Sequence, residues 1–354
     1  MKVLEGKRIL ITGGTGSLGK VLVKRLLSGE IGIPRQILVF SRDEAKQHQM
    51  RLEYQNMRSV TDEVIYKNFQ ELLAFRIGDV RDFHSISNAL KGVDIVFNTA
   101  ALKQVPTCEY FPFEAVMTNI CGPENIVRAI REHELPIDTV VGISTDKACK
   151  PVNVMGMTKA IQERVFIKAN MDCGATRFIC VRYGNVLASR GSVIPFFHEQ
   201  IKAGGPVTIT SLEMTRFLLT LNQAVDTIFA AVKGGDKGDT YVPKVLAARV
   251  VDIADALIEK RAIKKVITGV RPGEKIHEIL ISEEEANRTI EKGNYYVIQP
   301  ILPEIRGGSF MKRSLSKEYS SADNLMSVGN LAKLLRSNHL MVGEDVVEEG
   351  EILR

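Results

Sequence analysis

Ser144-Thr145-Asp146-Lys147-Ala148 sets a hydroxyl, a carboxylate and an amine side by side, directly after the apolar run Thr139-Val140-Val141-Gly142-Ile143. An adjacent Asp and Lys can divide one reaction between them, one removing a proton while the other delivers one to a leaving group. On an open surface the same two residues form an ion pair worth little. Lys159 follows Met155 by four positions, which puts both on one face of a helix. Near the start of the chain, Thr12-Gly13-Gly14-Thr15-Gly16-Ser17-Leu18-Gly19 carries glycines in G-x-x-G-x-x-G spacing. Such glycines permit a tight turn, close approach of backbone to a pyrophosphate, and close packing of the next helix, whose N-terminus meets the phosphates. The chemistry indicated is a bound dinucleotide beside an acid–base pair.

Both constellations need a sheet to hold them. Arg8 to Thr12 reads as a short apolar strand, Lys20 to Leu27 as an amphipathic helix, and Gln36 to Phe40 as the next strand. A polar helix is predicted from Asp43 to about Met57, strands over Phe75 to Asp79, Val93 to Asn98 and Thr139 to Ser144, and a helix over Ala115 to Arg131. Continuous apolar strands separated by helix-length segments predict an α/β fold, a Rossmann-like doubly wound parallel sheet. Asp146-Lys147 then falls at the C-terminal end of the fifth strand, where ligand clefts of such sheets lie. After about residue 190 the rhythm loosens, with breaks at Gly204-Gly205-Pro206 and Arg271-Pro272-Gly273. We read residues 1–190 as the dinucleotide-binding domain, with its sheet completed by segments after 210. Residues 191–310 read mainly as a smaller, irregular substrate domain, and 311–354 as a partly helical tail with a helix near Asn330 to Ser337.

Composition agrees with an enzyme-sized globular chain: 354 residues, 45% hydrophobic, 25% charged, with mean hydropathy near zero. Collagen, disulfide miniproteins and intrinsic disorder are excluded. No apolar run approaches the ~20 residues of a spanning helix. Charges at Lys2, Glu5, Lys7 and Arg8 occupy the place of a signal peptide's apolar stretch, so a cytoplasmic protein is expected. The five cysteines form no C-x-x-C pair, and neither a disulfide framework nor a metal site is expected. The net charge of +5 suits a polyanionic small molecule, and Lys and Arg are scattered among acids without the basic run of a nucleic-acid binder.

The end of the second strand selects the dinucleotide. NAD binders usually place an Asp or Glu there for the ribose hydroxyls. This chain reads Phe40-Ser41-Arg42-Asp43-Glu44-Ala45-Lys46, in which Ser41, Arg42 and Lys46 can hold a 2′-phosphate. NADP is therefore the expected cofactor. Asp79-Val80 fits an adenine contact, and Asn98-Thr99-Ala100-Ala101 fits backbone packing beneath the nicotinamide ribose.

With Leu102-Lys103, Asn119 and Lys159 added, these residues resemble an extended short-chain dehydrogenase/reductase. Ser144 to Ala148, Pro151, Met155-Gly156-Met157-Thr158-Lys159, Arg182-Tyr183-Gly184-Asn185-Val186 and Met214-Thr215-Arg216-Phe217 narrow the resemblance. The set is similar to the soluble UDP-N-acetylglucosamine 4,6-dehydratases, including the 5-inverting enzymes of flagellin-glycan and capsule biosynthesis, over roughly residues 6–280. The resemblance implies a retained NADP that oxidises and later re-reduces one sugar, a UDP-N-acetylglucosamine-like substrate, and a homo-oligomer (hexamer or dimer). It adds Asn119, Tyr183 and Lys159 to the cofactor residues, with Lys159 on the nicotinamide ribose.

Removing water across C5–C6 of a hexose is hard because H5 is not acidic. A ketone at C4 makes it so. A base can then take H5 while an acid protonates the departing C6 hydroxyl. The resemblance implies that Lys147 takes H5, Asp146 assists loss of the C6 hydroxyl, and Thr145 bonds near O4. A lysine whose pKa is lowered by burial or a neighbouring cation acts as a base near neutral pH. One departure matters: the superfamily's Tyr-x-x-x-Lys reads Met155 to Lys159 here, and a thioether is no base. The base for O4 is open between Asp146, Lys147 and Lys159 acting through a water.

Arg216 and Arg271 are the expected cations for the diphosphate, Glu274 an acceptor from a ribose hydroxyl. Family positions add Asn185 and Lys103 near the sugar or phosphates, and Pro195 and Thr210 near the base. Two other readings share parts of this pattern. A UDP-hexose 4-epimerase oxidises C4 without needing a base for H5, and a non-catalytic dinucleotide-binding sensor would suit Met155.

Overall fold

A computed structural model describes residues 2–56, 63–187, 192–306 and 314–343. Strands β1 (Arg8–Thr12), β2 (Gln36–Ser41), β3 (Leu73–Ile77), β4 (Ile95–Asn98), β5 (Thr139–Thr145) and β6 (Arg177–Tyr183) alternate with helices. The helices are α1 (Ser17–Leu27), α2 (Glu44–Gln55), α3 (Glu63–Leu72), α4 (Phe83–Leu90), α5 (Val105–Tyr110), α6 (Pro112–Val116), α7 (Gly122–Glu132) and α8 (Val154–Asp172). Then come β7 (Asn185–Val186), α9 (Val193–Lys202), β8 (Val207–Ile209), β9 (Thr215–Leu219), α10 (Leu221–Gly234), β10 (Thr240–Pro243), β11 (Ala247–Arg249) and α11 (Val250–Ile258). The rest are β12 (Lys265–Ile267), β13 (Ile279–Ile281), α12 (Glu283–Ala286), β14 (Thr289–Lys292), β15 (Tyr295–Ile298), α13 (Pro303–Arg306), β16 (Tyr319–Ser320) and α14 (Val328–Ser337).

Among the described residues, nine strands form one Rossmann-type sheet in the order β14-β15-β10-β6-β5-β4-β1-β2-β3. Every pairing from β3 to β10 is parallel, and β15 and β14 add an antiparallel edge. Alternation along the strands builds both faces. Ile9, Ile11, Phe97, Val141 and Val181 enter a core with α1 and α10, while Leu10, Val96, Val140 and Cys180 enter one with α4, α7 and α8. The chain order reverses between β2-β1 and β1-β4, and that reversal opens the crevice where ligands bind in such sheets.

Residues 191–310 divide between two places. Helix α10 and strands β10, β14 and β15 belong to the large sheet and its covering layer. Helix α9, β8 and α11 surround a second core of Ile194, Phe197, Val207, Ile253 and Leu257, which Leu331, Leu335, Leu340 and Met341 of the tail complete.

Two elements shift from the sequence reading. The third strand lies at 73–77 instead of 75–79: it begins two residues earlier, at Leu73, and ends before Gly78, where a Cβ would overlap the Phe40 ring. The helix expected over 115–131 is interrupted by a π turn, Met117–Cys121. Pro123 cannot donate to the carbonyl of Asn119 and its ring crowds that carbonyl, so the turn widens there. Helix α2 ends at Gln55, and Met57 lies outside the described residues.

Candidate active site

Gly13 has φ +67, and a Cβ on it would strike Ala100 Cα at 2.7 Å, so β4 closes on the loop only because residue 13 is glycine. Thr12 Oγ1 fastens the two, donating to Asn98 Oδ1 at 2.7 Å and accepting from the Ala100 N–H at 3.3 Å. At Gly16 a Cβ would meet nothing nearer than Gly13 O at 3.4 Å. Among the described residues no side chain caps α1, so its first N–H groups are left for a ligand or water; Thr15 is buried in the loop, and Ser17 and Leu18, half-buried, open the helix. The cradle fits a pyrophosphate.

At the end of β2, Ser41 Oγ accepts from Gln47 Nε2 at 3.0 Å. Arg42 lies half-exposed 3.6 Å from Asp79, and Lys46 lies 3.6 Å from Asp43. Burial alone would raise the Asp79 carboxyl, but hydrogen bonds from Arg81 and the charges of Arg81 and Arg42 hold it below its ordinary value. Val80 is buried against Gly122, and Ala101 is exposed beside Ala100.

The candidate acid–base pair sits where β5 ends. Asp146 is fully buried in a single helical turn, Asp146–Ala148. A Cβ on Gly156 would overlap Lys147 O at 2.2 Å, so this turn rests on α8 through a glycine. Thr145 Oγ1 donates to Asp146 Oδ1 at 2.7 Å, and Lys147 Nζ donates to the same oxygen at 3.2 Å. Lys147 Nζ also lies 3.5 Å from Glu278 Oε1, which is itself 3.6 Å from Arg216 Nε. Asp146 Oδ2 and Glu278 Oε2 are buried without a hydrogen-bond partner among the described residues. A buried carboxylate oxygen left unsatisfied is costly, and a ligand, an ion or a water can relieve that cost.

The sequence argument for a lysine with lowered pKa is corrected here. Burial does lower Lys147, and Arg216 adds to that, but the charges of Asp146 and Glu278 outweigh both and raise it above the ordinary lysine value. Lys159 carries the lowered value instead. Burial without a carboxylate contact brings it down to about 8, and its Nζ donates to Gln162 Oε1 at 2.7 Å. Met155, one turn earlier, is buried with Cys108 and Ala115 in a small apolar cluster. Asn119, on the π turn, accepts from the Leu102 N–H at 2.8 Å and donates to Leu102 O and Thr158 Oγ1. Its amide joins the loop after β4 to α8.

Among the expected substrate residues, Arg216 joins the acid–base centre, with Nη1 donating to the carbonyls of Thr215, Lys275 and Ile276. Arg271 is exposed on a turn whose Gly273 carbonyl accepts from Asn153 Nδ2 at 2.9 Å, at the N-cap of α8. Glu274 Oε2 and Asn185 Oδ1 are buried without partners among the described residues. Lys103 is exposed, while Pro195 on α9 and Thr210 after β8 are half-buried. Tyr183 is buried at the end of β6, and burial raises its phenol.

Sequence reasoning missed Glu278 and the ion network behind the centre. Arg182 on β6 is buried between Glu163 of α8 and Glu285 of α12. Ser144 donates to Glu163 at 2.5 Å. The acidic residue closing Arg271-Pro-Gly-Glu-Lys-Ile-His-Glu278 was the available signal for Glu278.

Residues 9–300 match the family described as polysaccharide biosynthesis protein. The chain belongs to that family. It is 45% identical over 297 residues to the UDP-glucose 4-epimerase of Rickettsia bellii, covering 82% of each chain. It is 44% identical over 327 residues to the enzyme of that name from Rickettsia typhi, covering 89% of this chain and 91% of the relative. The solved structure of Pen from Bacillus thuringiensis is 34% identical, with a TM-score of 0.84 over 96% of this chain and 99% of that one. The dTDP-glucose 4,6-dehydratase DesIV from Streptomyces venezuelae, solved with NAD and TYD bound, shares the fold at 18% identity and a TM-score of 0.64, over 94% and 98% of the chains. The family member described here has the short-chain dehydrogenase/reductase fold of nucleotide-sugar epimerases and dehydratases.

Proposed function

We propose that this family member is a UDP-N-acetylglucosamine 4,6-dehydratase that inverts C5 and retains NADP. The observation that carries the reading is the buried Asp146–Lys147 pair with an open carboxylate oxygen. Inverting a hydroxyl at C4 needs one proton shuttle at O4. Eliminating water needs an acid and a base together, and this centre supplies both.

The loop from Gly13 to Gly19 would hold the pyrophosphate, Ser41, Arg42 and Lys46 the 2′-phosphate, Asp79 and Val80 the adenine end, and Ala100, Tyr183 and Lys159 the nicotinamide end, with Asn119 keeping that wall in place. When bound, the nicotinamide would take up the C4 hydride and later return it to C6. The O4 proton passes through Thr145 to Asp146, whose hydroxyl–carboxylate contact of 2.7 Å is already formed. Protonated Asp146 then gives that proton to the leaving C6 hydroxyl, which departs as water. Lys147 rests as an ammonium and must shed its proton to a carboxylate before its amine takes H5. Loss of H5 and of the C6 hydroxyl leaves a 5,6-double bond conjugated to the C4 ketone. Once C6 has received the hydride, protonation at C5 of the enolate so formed, from the other face, sets the L configuration. Arg271 and Arg216 would meet the diphosphate, Glu274, Asn185 and Lys103 the ribose and sugar, and Pro195 and Thr210 the base.

The 44–45% identity to proteins named UDP-glucose 4-epimerase favours a second reading, UDP-hexose 4-epimerase. Proton NMR of the product from UDP-N-acetylglucosamine separates them. A 6-methyl doublet, deuterium at C5 in heavy water and coupling constants of an L sugar are expected. A C4-inverted product with its C6 hydroxyl intact establishes the epimerase, and a D-configured product refutes inversion alone.

Arg42→Asp is expected to move cofactor preference from NADP toward NAD, since a carboxylate repels the 2′-phosphate and can accept from a ribose hydroxyl instead. Affinities measured for both dinucleotides check this, and unchanged selectivity removes Arg42 from the 2′-phosphate site.

A further inference from the structure

We propose that Glu278 is a positioning residue of the acid–base centre, a second carboxylate that holds Lys147 beside Asp146 and fixes the charge at which that lysine works. Glu278 reaches the centre from far along the chain, immediately before β13, and its side chain is only 3% exposed. Its backbone is clamped on both sides by Ser321: the Glu278 N–H donates to Ser321 Oγ at 2.9 Å, and the Ser321 N–H donates to Glu278 O at 2.8 Å. Ser321 Oγ lies 2.6 Å from Thr215 Oγ1, next to Arg216. The C-terminal segment therefore sets where this carboxylate stands.

Two cations and two carboxylates make the cluster neutral. Lys147 is faced by Asp146, Glu278 and Arg216, and Glu278 by Lys147 and Arg216. His277 turns its Nδ1 to the Thr215 hydroxyl at 2.9 Å. An ion-pair partner for Arg216 alone would not need to sit 3.5 Å from the lysine amine with its second oxygen buried and open. That oxygen is an acceptor for the proton Lys147 must release, and the carboxylate charge sets how readily it does so.

Titration of Lys147 in protein labelled with 13C at lysine Cε tests the assignment, with Lys147→Arg identifying the signal. Glu278→Gln keeps the volume and removes the charge, so the midpoint of Lys147 should fall by about one pH unit or more. Glu278→Asp keeps the charge but withdraws it, so a smaller fall is expected, and this variant supplies the readout if the Gln variant does not fold. Titration curves that overlay the parent overturn the proposal. The kinetic arm rests on the dehydratase reading: the limb of the kcat/KM profile that belongs to Lys147 should move to lower pH in Glu278→Gln, with kcat reduced about tenfold or more. Parent enzyme that leaves UDP-N-acetylglucosamine unchanged overturns the substrate reading, and the titration then decides Glu278 by itself.

Discussion

Lys147→Ala is expected to slow dehydration by about a thousandfold or more while the dinucleotide stays bound. On the proposed reading the variant removes the amine that takes H5, and it leaves every residue of the glycine cradle in place. It also leaves Asp146 and Glu278 buried without their shared ammonium, which costs stability as well as activity. Lys147→Arg separates these effects. Its guanidinium preserves the charge but does not give up a proton at working pH, so it should restore the fold yet remain slow. Asp146→Asn gives the complementary result. Because Asp146 takes up the O4 proton in the proposed sequence, neither reduced-cofactor absorbance on mixing with substrate nor a 6-methyl product should form. An absorbance rise without product would show that another group takes the O4 proton and would confine Asp146 to loss of the C6 hydroxyl. Normal dehydration by Lys147→Ala, measured from product formation under saturating substrate, would refute the role.

The parts of this site that could be read from sequence are those made by neighbours in the chain. The strand Arg8–Thr12, the glycine turn and α1 follow one another, and their spacing states their geometry. Thr145, Asp146 and Lys147 are consecutive, so their meeting needs only the end of β5 to be placed. Glu278 depended on β13, β16 and the Ser321 clamp, none of which has a local pattern linking it to Lys147. The same gap explains the pKa correction: a lysine beside one Asp is a different base from a lysine between two buried carboxylates. The helix near Asn330 was legible as a helix, but not as the element whose Leu331 and Leu335 complete a second core. Its partners on α9 and α11 are set by tertiary packing, which periodicity does not encode.

The largest effect on stability is expected at Arg182. Its guanidinium is buried and forked twice: Nε and Nη2 donate to Glu163 at 2.9 and 2.6 Å, and Nη1 and Nη2 to Glu285 at 2.7 and 2.9 Å. Nη1 also donates to Leu280 O at 2.9 Å. This ties β6, α8 and α12 together directly behind Ser144 and the turn that carries Asp146. Arg182→Met keeps the bulk and strands two buried carboxylates, so unfolding by urea should show a loss of ~3–5 kcal/mol. Arg182→Lys should recover little, because an ammonium cannot fork to both carboxylates. The pH dependence carries the same mark. Burial would raise the Glu285 carboxyl, but Arg182 outweighs it and holds the group at about 2, against an ordinary 4.5. A carboxylate depressed in the folded state adds stability above its unfolded value and loses it as pH falls toward the folded one. Glu285 thus contributes about 3 kcal/mol at neutral pH, withdrawn between pH ~4.5 and ~2. In Arg182→Met burial is left to raise the Glu285 carboxyl, so acidification relieves the variant while it weakens the parent, and the gap between them should narrow as pH drops through that window. A loss below ~1 kcal/mol, the level of an exposed pair, or a gap that does not change with pH would show that the network does not hold these elements together.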